Sequence, residues 1–568
     1  MFFQIICVPS PGDVNATQYW LLKGNQLYEE GVYEVALRFI DKVLEMDDKS
    51  ADAWYFRGRV LFQLGRFNES MSAYEKGIEI SPNDTRIWLN KSIGLFYLGN
   101  YNESLDILDK IIEMNPQNST ILNKKGNILS HLGEYEQSIE IYEKAIELNP
   151  RDANIWYNKG IALSNIGKYQ DSIEAYDKAI ELDPENLDAW NNRGLSLHRL
   201  GKYNESIKSY EKTLEIDSLS AVAWFNKGLA LNELRNYNQS LDSFNKVLNL
   251  NPANVDAWIS KGVALKNLGR YAEAIQAYDR ALKIDPLNAA SWYNKGNIFL
   301  IRKKYNESLA AYDEAIKLDP IDEASWYNEG LIFYTLGKYD DALEAYDHVI
   351  RIHPLDADAW HNKGNALFSL GKYNESIDAY YMAVDIDPVD ALSWKSLANA
   401  LKIKGRYQEA SKAYEVATKL NPDDIVSWKN WGKILFILGA YNDSLESLGK
   451  AIEIDPRDSE ALYDKGMALL RLKEFNESIE AFDHVIESNP QNEAAWNNMG
   501  NALMNLGMYE EAIEAYNKAM DIDPDNTVIR QNKDEAISFL GKSNESVPAF
   551  GRDISLDKRN AAAWVTKI

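Results

Sequence analysis

The chain has 568 residues, 45% apolar and 26% charged, with a formal net charge of −25 and a pI of about 4.8. So acidic a balance argues against a nucleic-acid partner, where Lys and Arg must replace the counterions of the phosphates, and against an anionic membrane surface. The single cysteine, Cys7, excludes a disulfide within the chain, and no apolar run approaches the roughly 20 residues of a membrane span.

Residues 1–16 form an N-terminal extension. Met1–Val8 is apolar but lacks the basic start and full apolar stretch of a secretory leader, so it reads as an ordinary extension or as the remnant of one. From about Thr17 a 34-residue period takes over. Trp recurs in register at Trp20, Trp54, Trp88, from Trp156 through Trp428, and at Trp496 and Trp564; Leu122, Leu462 and Arg530 fill the remaining positions. Length alone suggests about four globular domains. The period overrides that and predicts one repeat array of sixteen units, 17–50 through 527–560, then the start of a seventeenth at 561–568. Each unit exposes an apolar face that only its neighbours can cover, so stability is approximately a sum of nearest-neighbour terms.

Within the unit 153–186, Trp156, Gly160, Leu163 and Ile166 mark one face of a first helix, and Tyr169, Ile173, Tyr176 and Ile180 one face of a second. Gly167 is placed to stop the first helix, since Gly tolerates the left-handed conformation. Pro184 closes the second, because it has no N–H to donate. The second helix carries a small residue, Ala or Ser, where two antiparallel helices come close, as at Ala36, Ser172 and Ala342.

This spacing resembles the tetratricopeptide repeat, with its Trp, Leu-Gly, Tyr, Ala, Phe and Pro signature over 34 residues. The likeness covers nearly the whole chain. Gly follows the anchor by four residues in most units, with Ser92, Ala398 and Asp534 as exceptions. The usual Leu is mostly Lys here (Lys159, Lys227, Lys295), which suggests a more solvated first helix. The resemblance implies an all-α, right-handed α-solenoid of helix-turn-helix units in about two superhelical turns. First helices would line the concave face, and the work would be protein–protein interaction without catalysis or cofactor.

The resemblance places residues one, two, five and eight after each anchor on that inner face. Two after it stand Asn90, Asn158, Asn192, Asn226, Asn294, Asn328, Asn362, Asn430, Asn498 and Asn532; five after it Asn25, Asn127, Asn297, Asn365, Asn399 and Asn501; one after it aromatics such as Tyr157, Phe225, Tyr293 and Tyr327. An Asn amide donates and accepts, so it can pair with a peptide backbone whatever the side chains. Packed helices lie about 8–10 Å apart, and an extended chain advances about 3.3 Å per residue. A rung would therefore meet the ligand roughly every third residue. The opposing reading is that these side chains satisfy the protein's own helices and loops. Lys395, Lys402, Lys429 and Lys433 make a basic inner segment beside Trp431, a candidate patch for acidic ligands. Lys395, Asn399 and Asn430 match the first three members of the family's carboxylate clamp, but Glu460 and Asp464 stand where two basic residues are needed.

His131, His198, His348, His353, His361 and His484 show no metal-ligand spacing in sequence, and the carboxylates are periodic, unlike a single active site. No metal and no enzyme activity is expected. Asn-x-Ser/Thr recurs where the second helix opens, as at Asn68, Asn102, Asn204, Asn238, Asn306, Asn374, Asn442, Asn476 and Asn544. Those sites suit either an exported, N-glycosylated array or a duplicated packing Ser that should lie against the first helix. Cytoplasmic and exported settings both remain open. In the sixteenth unit Arg530, Asp534 and Ser543 break the pattern and Pro548 should fray its second helix. With no polar cap at either end, end-to-end self-association is one alternative function. The targeting arm of a glycosyltransferase-like enzyme whose catalytic domain lies elsewhere is another.

Overall fold

A computed structural model describes residues 14–543; Cys7, the sequon at Asn544, Pro548 and the unit begun at 561 lie outside the described residues. Among those described there are 31 α-helices and no strand. The chain divides into two units, Met1–Pro286 and Leu287–Ile568. Within each, helices come in antiparallel pairs, and each pair packs on the next. Both units are therefore all-α solenoids of helix-turn-helix repeats.

The pair Ala153–Asn165 and Tyr169–Leu182 shows why the sequence folds this way. Asp152 begins the first helix, its carboxylate accepting from the Asn154 N–H, one of the four donors that a helix start leaves unpaired. Asp, Asn or Ser repeats this cap at Ser50, Asn186, Asn288 and Asp424. Gly167 ends the helix at φ +76°, and the N–H of Lys168 closes onto the Leu163 carbonyl at 3.0 Å. The second helix stops at Leu182, two residues before Pro184.

Between the two helices the approach is close. A Cβ on Gly160 would sit 2.5 Å from Cε1 of Tyr176, whose ring is fully buried, so any larger residue must displace that ring. The predicted faces hold, with Leu163, Ile173, Tyr176 and Ile180 buried and Trp156 half-buried. Ile155, Ala162 and Ala179 are buried as well, on the sides turned to neighbouring repeats.

Two expectations change. The lysine three places after the anchor does not solvate the first helix. Lys159 lies 5.8 Å from the Trp156 ring centre and reaches Glu143 of the preceding repeat at 2.8 Å, and Lys227 does the same with Trp224 and Glu211. It is a strut between repeats. The sequon Ser is also more than a small residue: Ser206 Oγ donates to the Gly194 carbonyl at 2.8 Å, and Ser240, Ser308, Ser376, Ser444 and Ser478 repeat the bond, all fully buried. The sequon Asn beside it is exposed and sits inside the helix, as Asn204 does in Tyr203–Ile216. In the sixteenth repeat Thr527–Ser543 runs as one helix through Gly541, the position where earlier repeats turn.

Candidate functional site

The first helices of each unit carry the asparagines picked out by the period, and most of them bond within the chain. Two places after the anchor, Nδ2 reaches back to the first helix of the previous repeat. Asn158 donates to Asn123 Oδ1 at 3.0 Å, Asn192 to the Tyr157 hydroxyl at 3.2 Å, and Asn226 to Asn191 Oδ1 at 3.1 Å. In the second unit Asn328 donates to Asn297 at 3.3 Å, Asn362 to the Tyr327 hydroxyl at 2.8 Å, and Asn498 to the Tyr463 hydroxyl at 2.9 Å. Asn90 and Asn294 instead donate to carbonyls of their own helices, Arg86 and Ala290.

The asparagines five places on have a different task. Asn297, Asn365, Asn399 and Asn501 accept from the hydroxyls of Tyr312, Tyr380, Tyr414 and Tyr516, the buried tyrosines of the second helices, at 2.6–2.8 Å. Burial drives those phenols well above their ordinary pKa, so each hydroxyl stays a donor and needs an acceptor. The ladder is thus built into the protein's own hydrogen bonding. What remains outward is the acceptor side of half-buried members: Oδ1 of Asn158, Asn226, Asn328 and Asn362 makes no bond within the chain. Asn498 is buried, and its Oδ1 accepts from Asn501.

The basic segment is neutralised from within. Lys395 pairs with Asp424 at 2.9 Å, Lys429 with Asp458 at 2.9 Å and Glu460 at 2.8 Å, and Lys433 with Glu460 and, at 3.8 Å, Asp464. Lys402 donates to Asn430 Oδ1 at 3.1 Å; burial, then the nearby Lys433 charge, lowers its pKa to about 8. Burial alone would raise Glu460, yet the hydrogen bonds from Lys429 and Lys433 hold it at about 2. Glu460 and Asp464, which displace the basic half of the clamp, are the partners that occupy these lysines. An acidic ligand here would have to displace Asp424, Asp458 and Glu460.

A cavity of about 630 Å³ in the second unit brings Asn328 together with Tyr293, Tyr327 and five acidic residues, Asp319, Asp322, Glu323, Asp356 and Asp358. Glu323, His353 and Asp356 bring one ligand atom each within 4.8 Å of one another, the one such group among the described residues, and His353 is exposed. Sequence reasoning missed this convergence because the three belong to different helices and turns. It also missed Ile321, at the mouth of that cavity, with Leu355 and Val389 at the same place in the next repeats; they are 74%, 69% and 72% exposed. The signal was present, an apolar residue directly after the Pro of four successive repeats, from Leu287 to Val389.

Family profiles described as tetratricopeptide repeat match residues 51–84, 107–140, 153–186, 187–218, 225–289, 260–323, 327–391, 391–424, 435–501 and 493–526. A TPR repeat profile matches 126–167, and a protein prenyltransferase alpha subunit repeat profile matches 33–64. No curated protein matches the chain. Among solved structures, it is similar to the APC/C hetero-tetramer Cut9–Hcn1, at 15% identity over 92% of this chain and 96% of that one, with a TM-score of 0.36. It is similar to YrrB, described as a TPR protein with an unusual peptide-binding site, at 26% identity over 34% of this chain and 98% of that one, TM-score 0.30. It is also similar to MamA, at 21% identity over 30% of this chain and 92% of that one, TM-score 0.29. No helix among the described residues is long and apolar enough to cross a membrane. With helix pairs throughout both units and matches from residue 51 to residue 526, the chain belongs to the tetratricopeptide repeat family, as a many-repeat protein-interaction scaffold.

Proposed function

We propose that the first-helix face of each unit holds extended polypeptide, with Asn158 and Asn226 in the first unit, and Asn328 and Asn362 in the second, accepting from backbone N–H groups through Oδ1. The observation that carries this is the cavity where Asn328, Tyr293 and Tyr327 meet five acidic residues. Two tyrosines offer stiff apolar walls with polar rims, and the acids select a ligand that brings Lys or Arg to that point. The ladder gives register, and Ile321 at the mouth adds apolar contact. Because each Nδ2 already bonds inside the protein, the ladder arrives pre-oriented and loses little entropy on binding. Asn430, Asn498 and the lysines at 395, 402, 429 and 433 extend the same face, with their own partners to be exchanged.

The test is selection from a random peptide library on the intact protein. Selected sequences should be rich in Lys and Arg, and their affinity should fall as salt rises. Replacing Asn294, Asn328 and Asn362 together by Ala should weaken them by about tenfold or more. Circular dichroism must show the variant folded, because two of the three bonds it removes join first helices. Peptides without basic residues, or unchanged binding by the folded triple variant, would overturn the reading.

A further inference from the structure

The period itself defines what one place in the second unit lacks. In most repeats two groups meet the anchor indole, and in one repeat a third is added. Its Nε1 donates to the carbonyl six residues earlier, at 2.8–3.2 Å, as Trp326 does to Pro320, Trp428 to Pro422 and Trp496 to Pro490. The lysine three places on lies near the ring and pairs with an acid thirteen places before the anchor, as Lys363 does beside Trp360 with Asp347 at 2.6 Å. Among the described residues the third group belongs to one repeat alone: His348, from the second helix, stacks flat on Trp326, with centroids 3.9 Å apart and planes 2° from parallel.

In the repeat that opens with Ser459–Leu472, every one of these surrounding groups is kept except the acid, and the indole is missing. The anchor is Leu462, and Gly449 stands where the acid belongs. Between them lies a cavity of about 790 Å³ lined by Ile452, Pro456, Leu462, Lys465, Leu469 and His484 among others. Pro456 supplies the carbonyl that an anchor indole would reach, and it accepts no bond here. Lys465 has neither a ring nor a carboxylate, and makes no ion pair. His484 corresponds to His348, four repeats on, with no ring to stack upon; it sits 3.3 Å from Glu487 instead. Ile452, Leu462 and Leu469 form an apolar floor. None of the first-helix asparagines lines this cavity, so it stands apart from the ladder.

We propose that this cavity receives the tryptophan side chain of a partner polypeptide that carries an acidic residue beside it. The indole fills the place held by Trp in neighbouring repeats, donates to the Pro456 carbonyl and stacks on His484. The adjacent carboxylate pairs with Lys465, as Asp347 does with Lys363. The chain's own repeats are the template for each contact, and the ligand restores the two groups this repeat has lost.

The intact protein is titrated with a blocked fluorotryptophyl-aspartyl dipeptide and followed by fluorine NMR. The ligand line should broaden and shift with the wild type. Leu462→Trp, which fills the cavity with an internal indole, should abolish the effect without lowering the thermal midpoint. Gly449→Asp and Lys465→Met, which remove the free ammonium, should each weaken binding by about tenfold. No broadening with the wild type overturns the proposal, as does full binding by folded Leu462→Trp. Should that variant fail to fold, Gly449→Asp decides, and undiminished binding overturns it. Indole-3-acetate competing at concentrations as low as the dipeptide would also overturn it, because the ligand would then be a small acid and not a polypeptide.

Discussion

Glu329 occupies the place where other repeats carry the strut lysine. It is 3% exposed; burial, then the charge of Asp313, raises its pKa to about 8. The unfolded carboxyl titrates near 4.5, so the folded state binds the extra proton between those values. Stability from this site is therefore full below about pH 4.5 and is lost as pH climbs to about 8. Glu329→Lys should face Asp313 as Lys363 faces Asp347, and stabilise by on the order of 1–3 kcal/mol at pH 8 and less at pH 5. Urea midpoints at the two pH values check the sign. Backbone strain offers a second residue-level test. Arg235, Lys303 and Lys473 hold φ of 58°, 56° and 67° at the turn that elsewhere belongs to Gly. Replacing each by Gly should stabilise its repeat by roughly 0.5–1 kcal/mol, read by local hydrogen exchange.

At the level of the helix pair, the sequence was most legible where one residue must do one thing. Gly167 and Pro184 could be placed from type and spacing alone, whereas the close approach was read at Ser172 and its tightest point, Gly160 against Tyr176, was not. Partnerships were harder. Lys159 reads as a solvent-facing departure until the Glu sixteen residues earlier is seen within reach, and the asparagine ladder reads as free until Tyr157 and Tyr312 are seen to engage it. Those links join different repeats or different helices, and a one-dimensional period carries no distance between them. The serine bond carries its own prediction. Folded protein incubated with an oligosaccharyltransferase should gain no mass at Asn204 or Asn306, since the hydroxyls of Ser206 and Ser308 are buried against Gly carbonyls. Intact mass spectrometry decides, and the reduced, unfolded chain serves as the positive control.

For the molecule as a whole, nearest-neighbour packing predicts that damage stays local. Gly160→Ala should cost about 1–3 kcal/mol by overpacking Tyr176. Hydrogen exchange should then rise in that repeat and those beside it, while the unit Leu287–Ile568 keeps its wild-type protection. A loss of protection spread evenly over both units would mean a single cooperative fold. Arg530 bears on how such arrays are recognised. It replaces the anchor Trp, yet its Nη2 donates to the Pro524 carbonyl at 2.9 Å, the bond that indoles make elsewhere. At that spot a guanidinium can stand in for the indole as donor. A census that counts members by their tryptophans will therefore drop modules that are structurally sound, this one among them.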